Sequence, residues 1–262
     1  MNPALWISKT GLDAQQTDIS VISNNLANAS TVGYKKSRAI FEDLLYQNIN
    51  QPGGRSSQDT ELPSGLMLGA GAKVVANQKN FSQGNMLSTE NSLDWMIQGP
   101  GFFEIQMPDG TTAYSRNGQF TTDEEGRIVT SGAGFPVLPE MNVPDDAQSI
   151  TISQDGEVSV RVAGQAENVV IGQLTISDFI NPSGLEPIGQ NLYTETAVSG
   201  APVQGNPSVE GLGKIVQGAL ETSNVNVTEE LVNLIETQRV YEMNSKVIST
   251  VDQMLSYINQ QL

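Results

Sequence analysis

The chain has 262 residues, no cysteine and no histidine, 38% hydrophobic residues and a formal net charge of −16. The two missing residue types exclude disulfides, thiol nucleophiles, imidazole bases and the usual zinc, copper or haem ligands, and with them most enzyme classes. The acidic balance argues against a nucleic-acid partner, because binding to phosphates requires lysine and arginine. We therefore expect neither a cofactor nor a metal.

The first predicted helix starts at Asn2-Pro3, extends to about Ala29 and is stopped by Gly33. Apolar residues recur along it every seventh position, with one more on the same side: Leu5, Leu12, Ile19, Leu26 and Ile22. An exact seven-residue repeat keeps one apolar stripe facing a partner helix. Three asparagines near its end, Asn24, Asn25 and Asn28, either unwind the last turn or hydrogen-bond to neighbouring backbone.

The region after this helix changes character twice. Residues 37–46 form either a short helix or an extended arm. From Gln47 to Ala72 the composition shifts to Gly, Pro, Ser, Gln and Asn, with turn signals at 51–54 and 62–65. We interpret 47–72 as a long loop or a loosely β-structured arm, and a segment of this length in a compact fold is usually functional.

The central region reads as strands joined by tight turns. Asp-Gly, Asn-Gly and Glu-Gly pairs at 109–110, 117–118, 125–126 and 155–156 separate short runs rich in β-branched and aromatic residues. These runs predict strands at 102–107, 111–115, 120–121, 128–130, 150–152, 158–162 and 169–176. Short strands at this spacing are typical of a sandwich, a barrel or an irregular β domain.

The last predicted helix runs from Glu229 to Gln260 without glycine or proline, and Ser223, Asn224 and Asn226 are its candidate caps. It carries a second seven-residue repeat, flanked by further apolar positions: Leu234, Tyr241, Ile248, Leu255 and Leu262, with Val247 and Met254 beside them. The apolar face is wider than a two-stranded contact needs, which indicates contacts with more than one helix.

The predicted fold is α+β, with long N- and C-terminal helices pairing as a coiled-coil-like stalk, a mainly β central body and an extended arm. We divide the chain into a helical assembly domain (1–45 with 218–262), a connecting β region or arm (46–95 with 185–217) and an outer β domain (96–184). Residues 1–45 carry four basic and four acidic residues, and residues 218–262 carry two and six. Most of the negative charge therefore lies in the middle, which suits an outward-facing body.

Acidic side chains are the remaining candidates for catalysis. The runs Asp145-Asp146 and Asp123-Glu124-Glu125 lie beside turn signals, so solvated loops explain them better than a general acid–base pair. Residues 1–12 lack the pattern of a cleavable secretion signal, and no apolar run approaches the length of a membrane span. We expect a non-enzymatic protein with no direct membrane insertion.

Short motifs are spread over nearly the whole chain: ISNNLAN at 22–28 with TVGYK at 31–35, NSLD at 91–94, GPGFF at 99–103, YSRNGQF at 114–120, GRIVT at 126–130 and NVTEELVNLI at 226–235. Together they resemble bacterial flagellar rod and hook proteins. The positions matched most directly are Asn24, Asn25, Asn28, Gly33, Tyr34, Gly101, Phe102 and Phe103. Trp95, Met96 and Pro100 depart from the family pattern.

The resemblance implies a structural subunit that is exported without signal cleavage and polymerises into a hollow shaft carrying motor torque to the hook. FEDLLYQ at 41–47 and the extension after it are similar to members that form the distal segment of the rod. The implied location is the periplasm-spanning rod of the basal body. The implied partners are further copies of the chain, proximal rod and hook proteins, and the surrounding ring proteins.

The residues expected to make assembly contacts are Leu5, Leu12, Ile19, Ile22, Leu26, Leu234, Tyr241, Val247, Ile248, Met254 and Leu255. A competing interpretation is that they fill a coiled coil within one subunit. At the level of function, the alternatives are a proximal rod or hook subunit and a secreted β-rich enzyme acting on polysaccharide. The enzyme is disfavoured because the chain shows neither an export signal nor many aromatic residues.

Overall fold

A computed structural model describes residues 3–50, 65–163, 167–209 and 211–261. Helices stand at both ends of the described chain and strands between them, so the predicted α+β class is confirmed. The chain forms two compact units, which we call the helical unit (1–27, 37–79 and 226–262) and the β unit (28–36 and 80–225). The three-part division made from the sequence stays a prediction.

Over its described residues, the helical unit contains two helices and four strands. In chain order they are α1 (Pro3–Ala27), β1 (Ser37–Asp43), β2 (Gln47–Asn50), β3 (Leu66–Leu68), β4 (Ala72–Lys79) and α2 (Val227–Gln261). β1 pairs antiparallel with β4, and β2 with β3. The pairing with β4 satisfies the backbone of β1, so the first half of residues 37–46 is extended and the helical alternative for it is wrong.

The helix boundaries agree closely with the sequence patterns. α1 ends at Ala27, two residues before the predicted end, and α2 begins at Val227, two residues before the predicted start. Of the three candidate caps, Asn226 caps α2, since its Oδ1 accepts a hydrogen bond from the backbone N–H of Thr228 at 3.1 Å. Neither helix, over the residues described, combines the length and apolar content of a membrane span.

In the described part of the β unit there are sixteen short strands and one turn of 3₁₀ helix at Pro182–Gly184. The strands are β5 (Met86–Ser88), β6 (Trp95–Gln98), β7 (Phe102–Gln106), β8 (Thr112–Ser115), β9 (Phe120–Thr122), β10 (Ile128–Thr130), β11 (Val137–Leu138), β12 (Ala147–Ile152), β13 (Glu157–Val162), β14 (Val169–Gln173), β15 (Ile176–Asp178), β16 (Glu186–Gly189), β17 (Leu192–Thr194), β18 (Val203–Gly205), β19 (Lys214–Gln217) and β20 (Ala219–Glu221). The predicted run 169–176 is divided between β14 and β15.

The largest sheet has seven antiparallel strands, in the order β16-β17-β8-β7-β15-β18 with β11 also paired to β7. β12, β13 and β14 form a three-stranded meander, and β9–β10, β6–β19 and β5–β20 form antiparallel pairs. In the pairs β6–β19 and β5–β20, strands that lie far apart in sequence are neighbours. The last strands of the β unit, β19 and β20, therefore pair with its first strands, β6 and β5.

Tight turns occur at the predicted glycine-containing pairs, but at one of these pairs the glycine does not have the expected positive φ. Gly110, Gly126 and Gly156 adopt positive φ as hairpin turns require. Gly118 does not, and the expectation of positive φ there is wrong. A Cβ at Gly118 would overlap the carbonyl oxygen of Trp95, so close backbone approach explains this glycine.

The core of the β unit surrounds Trp95, whose side chain is fully buried and donates a hydrogen bond from Nε1 to the Ser92 carbonyl at 3.0 Å. The surrounding buried residues include Ile97, Phe103, Phe120, Ile128, Val137, Met141, Ile152, Val158, Leu174, Ile176 and Ile215. Phe102, Tyr114, Phe179, Leu185 and Tyr193 form a second cluster, rich in edge-to-face ring contacts. Trp95 departs from the family pattern and still occupies the centre of the core.

A buried ionic cluster joins four segments of the β unit. Glu221 Oε1 accepts hydrogen bonds from Lys35 Nζ at 2.5 Å and from the Gly84 N–H at 2.8 Å, and Glu221 Oε2 lies 3.6 Å from Arg116 Nη1. All three charged side chains are buried. Burial lowers the pKa of Lys35 and of Arg116, and the negative charge of Glu221 opposes both shifts. The cluster fixes residues 28–36 beside β20, and the Gly33 N–H adds a hydrogen bond to the Glu221 carbonyl at 2.8 Å.

A second buried carboxyl, Glu104 on β7, has hydroxyl and amide partners and no cation within the contacts described. Ser177 Oγ donates to its Oε1, and Gln204 Nε2 donates to its Oε2 at 2.9 Å. Burial raises the pKa of Glu104, and the two hydrogen bonds oppose the shift. The carboxyl therefore holds its proton more tightly in the folded protein than in the unfolded chain.

Replacing Glu221 with Gln is expected to lower the free energy of unfolding by about 3–5 kcal/mol, because it leaves two buried cations without a carboxylate. Urea unfolding followed by tryptophan fluorescence measures the change. The matched control is Glu157→Gln, at an exposed position of β13, which is expected to change stability little. Equal stability of Glu221→Gln and the parent would contradict the assigned role.

The raised pKa of Glu104 predicts a pH dependence of stability. Below the pKa that Glu104 has in the unfolded chain, the carboxyl is protonated in both states and its contribution to the free energy of unfolding is fully present. This contribution is lost as the pH rises through the higher pKa of the folded state. Glu104→Gln removes this loss, so the stability of the variant relative to the parent is expected to be greater at pH 7 than at pH 4. Urea titrations at the two pH values, with Glu157→Gln in parallel, measure it; a pH-independent difference would refute the prediction.

Candidate functional site

The two long helices lie side by side and antiparallel within the helical unit. Thr237 Oγ1 donates to Asp18 Oδ2 at 3.3 Å, and Asn25 Nδ2 donates to Glu230 Oε2 at 3.3 Å. At the other end, the position of a Cβ on Gly11 would be 3.0 Å from Asn244 Nδ2. Each contact is seven residues from the next on both helices, so one register relates them along their length.

We call these six residues, Gly11, Asp18, Asn25, Glu230, Thr237 and Asn244, the polar seam. Asn25, Glu230 and Thr237 are buried. Burial raises the pKa of Asp18, and the hydrogen bond from Thr237 opposes that shift. The contact between the helices is therefore made largely by small and polar side chains, with Ser8, Ala14, Val21 and Ile22 as the other buried residues of α1.

The residues predicted to make assembly contacts lie beside the polar seam. We call the two seven-residue repeats, Leu5, Leu12, Ile19 and Leu26 on α1 and Leu234, Tyr241, Ile248 and Leu255 on α2, the apolar stripes. Ile22 is buried, whereas the α1 stripe, Leu234 and Ile248 are only partly buried. Tyr241, Val247, Met254 and Leu255 are exposed. Leu262 lies outside the described residues.

The last turns of α2 are the most exposed apolar part of the helices. Extending the register of the polar seam places Pro3 opposite Asp252, so no described residue of α1 lies opposite the turns beyond it. Met254 is 60% exposed, and Leu255, Tyr257 and Ile258 are exposed as well. An apolar surface of this kind typically marks a contact with another protein.

The described part of the arm is also apolar and exposed. Leu45 is 91% exposed, and further exposed apolar residues are Tyr46, Ile49, Leu66, Met67 and Leu68. At the base of the arm, the Leu44 N–H donates to the Gly71 carbonyl at 2.8 Å. Residues 51–64, which include the first predicted turn and the second up to Ser64, lie outside the described residues. The two-stranded ribbon β2–β3 thus presents large side chains with little cover.

Among the family-motif residues of the first helix, Asn25 has the clearest role. Its side-chain amide donates to the Ser37 carbonyl at 2.8 Å and accepts from the Ser37 N–H at 2.9 Å, so it pairs with the first residue of β1 as a neighbouring strand would. The alternative in which these asparagines hydrogen-bond to backbone is confirmed for Asn25. Asn24 is exposed, and Asn28 accepts from the Thr31 N–H at 3.1 Å through its carbonyl.

The remaining family-motif residues shape the β unit. Gly33 has φ of 72°, a backbone conformation that residues with a side chain rarely adopt. A Cβ there would also lie only 2.8 Å from the Asn117 backbone nitrogen, so both the backbone angle and the lack of space exclude a side chain. The other motif residues, Tyr34, Gly101, Phe102 and Phe103, are buried. These positions stabilise the fold and carry no reactive group.

The acidic runs considered as catalytic candidates are surface turns. Asp123 and Glu125 both pair with Arg127, at 3.2 and 3.1 Å, and Asp145 and Asp146 are exposed in a turn. The pKa of Asp123 is lowered by a hydrogen bond from the Glu124 backbone and by Arg127. This is the opposite of the raised pKa that a general acid requires.

Sequence reasoning missed the polar seam and the ionic cluster. The signal for the seam was present, since Gly11, Asp18 and Asn25 share the seven-residue spacing of the α1 stripe, one position earlier. Glu230, Thr237 and Asn244 share that spacing on α2. For the cluster, Lys35 and Arg116 fall within recognised motifs, but nothing local indicates that Glu221 joins them.

Comparisons with known proteins identify three regions of the chain. The family model "Flagella basal body rod protein" matches residues 6–35, "Flagellar hook protein FlgE/F/G D1 domain" matches 96–160, and "Flagellar basal body rod FlgEFG protein C-terminal" matches 216–261. The first and third contain most of α1 and α2, and the second contains much of the core of the β unit.

Full-length relatives agree with these matches. The chain is 55% identical to the flagellar basal-body rod protein FlgG of Buchnera aphidicola subsp. Schizaphis graminum, over 99% of this chain and 100% of the relative. Identity is 47% to FlgG of Borreliella burgdorferi, over 99% and 98%, and 39% to FlgG of Bacillus subtilis, over 96% of each chain. The chain therefore belongs to the flagellar basal-body rod protein family, whose members are structural components and not enzymes.

Proposed function

We propose that the protein is a subunit of the distal segment of the flagellar rod and polymerises with further copies of itself into a hollow, rigid shaft that transmits motor torque to the hook. The observation that carries this proposal is the distribution of buried apolar side chains. Among the described residues, Ala14, Val21 and Ile22 are the buried hydrophobic residues of the helical unit, and all the others belong to the β unit.

A unit with so small a core gains little stability from its own packing, because stabilisation is roughly proportional to the apolar area removed from water. Its two helices nevertheless carry two apolar stripes whose described residues are partly buried or exposed. Each neighbouring copy that covers a stripe adds about 25 cal/mol for every Å² buried. In a tube this gain is repeated at several neighbours, so the helices are completed as a coiled-coil-like inner wall by assembly.

The arm supports the distal position. A two-stranded ribbon is marginally stable in water unless something covers it, and β2–β3 exposes large apolar side chains. We infer that the arm lies along neighbouring copies and resists bending of the shaft. Its sequence is similar to that of distal members of the family, and its contacts across copies would explain a straight rod rather than a flexible one.

The same proposal names the other partners and the location. The proximal rod would meet one end of the shaft, hook proteins the other, and ring proteins would surround it where it crosses the periplasm. Near-neutral charge at the N-terminal end and acidic charge in the middle of the chain support this arrangement, since like charges are kept out of the densest contacts. We further infer export of the chain without signal cleavage.

Ile248→Glu tests the assembly role of the apolar stripes. The variant is expected to remain a folded monomer with parental helicity, while the concentration needed for polymerisation rises about a hundredfold, because an unpaired carboxylate would be buried in the interface. Circular dichroism, sedimentation and electron microscopy measure the two effects. Ser249→Glu, at an exposed neighbouring position, is the control. An unfolded Ile248→Glu monomer would support the intramolecular coiled coil instead.

Replacing residues 51–65 with a glycine-serine linker of equal length tests the arm. We expect polymers to form, since the helices are unchanged, but to bend more readily, with a shorter persistence length in electron micrographs. The parent polymer is the reference, and a straight rather than curved parent tube separates a rod subunit from a hook subunit. Variant tubes as straight and stiff as the parent would remove the arm from the mechanism.

A further inference from the structure

The polar seam lies where the most favourable packing of two helices would place apolar residues. Gly11, Asp18 and Asn25 contact α2, while the Leu12, Ile19 and Leu26 stripe begins one residue later. On α2, Leu234, Tyr241 and Ile248 follow Glu230, Thr237 and Asn244 by four residues each. On α1 the stripe therefore lies about 100° around the helix from the seam, whereas on α2 it lies on the same face as the seam, one turn further along.

Polar residues at such positions lower the stability of a helix pair and fix its register. In the observed register Asp18 meets Thr237 and Asn25 meets Glu230. A slip of seven residues in one direction would set Asp18 opposite Glu230, bringing two carboxylates together. A slip in the other direction would set Asn25 opposite Thr237 and separate it from Glu230.

The rung at Asn25 is anchored outside the helices as well. Two hydrogen bonds join its amide to the backbone of Ser37, the first residue of β1, at 2.8 and 2.9 Å. β1 in turn pairs with β4 along its whole length, from Ser37 opposite Lys79 to Asp43 opposite Ala72. Asn25 therefore fixes the position of α2 along α1 relative to the strand pair β1–β4, which carries the arm.

We propose that the polar seam is a register code that aligns α1 with α2 inside each subunit and keeps this contact weaker than an apolar one, so that the apolar stripes remain available to neighbouring copies. This rests on the proposed function. With apolar residues in the seam, α1 and α2 would bind each other strongly within one subunit and in several registers, and neighbouring copies would then gain less by binding to the helices.

The absence of cysteine from the chain makes the register directly measurable. The pair Gly11→Cys with Asn244→Cys reports the observed register, and Gly11→Cys with Val251→Cys reports a slip of seven residues. In the parent background we expect disulfide formation in the first pair to exceed that in the second by about tenfold or more. In the background Asp18→Leu, Asn25→Leu, Glu230→Leu and Thr237→Leu, a pair of leucines forms both in the observed register and after the slip. We therefore expect the difference between the two cysteine pairs to shrink.

The double leucine variant Asp18→Leu with Thr237→Leu, without added cysteines, strengthens the contact in the observed register. It is expected to unfold at a higher temperature than the parent and to polymerise more slowly or into irregular aggregates. Asp13→Leu with Gln238→Leu places the same changes at exposed positions and is the matched control. Asp18→Asn keeps a polar rung and is expected to behave as the parent in both assays. If the double leucine variant does not fold, Asn244→Leu carries the same test.

A fourfold leucine variant that keeps the parental preference between the two cysteine pairs would overturn the proposal, as would a double leucine variant that forms normal polymers. Equal disulfide formation by the two cysteine pairs in the parent background would overturn it as well. Failure of the proposed function gives a different pattern. In that case the parent fails to polymerise, or Ile248→Glu polymerises normally, while the disulfide preference in the monomer still decides whether the seam sets the register.

Discussion

The two ends of the chain meet through an antiparallel contact between α1 and α2 whose central groups are polar. Asp18 with Thr237 and Asn25 with Glu230 join residues more than two hundred positions apart in sequence. The geometry of the helical unit depends on this contact, because few apolar side chains are buried there to hold it otherwise. It also determines which faces of the two helices remain open.

The two units differ in how much apolar surface they bury. The β unit buries a large aromatic and aliphatic core around Trp95 and encloses a charged cluster of Lys35, Arg116 and Glu221. Ions so deeply buried are tolerated because each has a partner of opposite charge or a carbonyl acceptor. The helical unit instead exposes apolar surface, which the proposed assembly with further copies would cover.

The family motifs acquire physical meaning from this division. Gly33 and Tyr34 are buried in the β unit, where Gly33 permits a backbone approach that any side chain would block. Asn25 replaces a strand partner for Ser37 and reaches α2 at the same time. The motif residues of this structural protein are thus ones that fix backbone geometry.

The sequence by itself determined the elements that follow from local chemistry. Helix periodicity and capping located α1 and α2 to within two residues, and glycine-containing turns located most of the hairpins, because these signals act between residues close in the chain. Only the tertiary structure decided which helix face turns inward. The apolar repeat and the polar repeat have the same seven-residue spacing, so periodicity cannot choose between them, and the partners of Asp18, Asn25 and Lys35 come from segments that no local pattern connects.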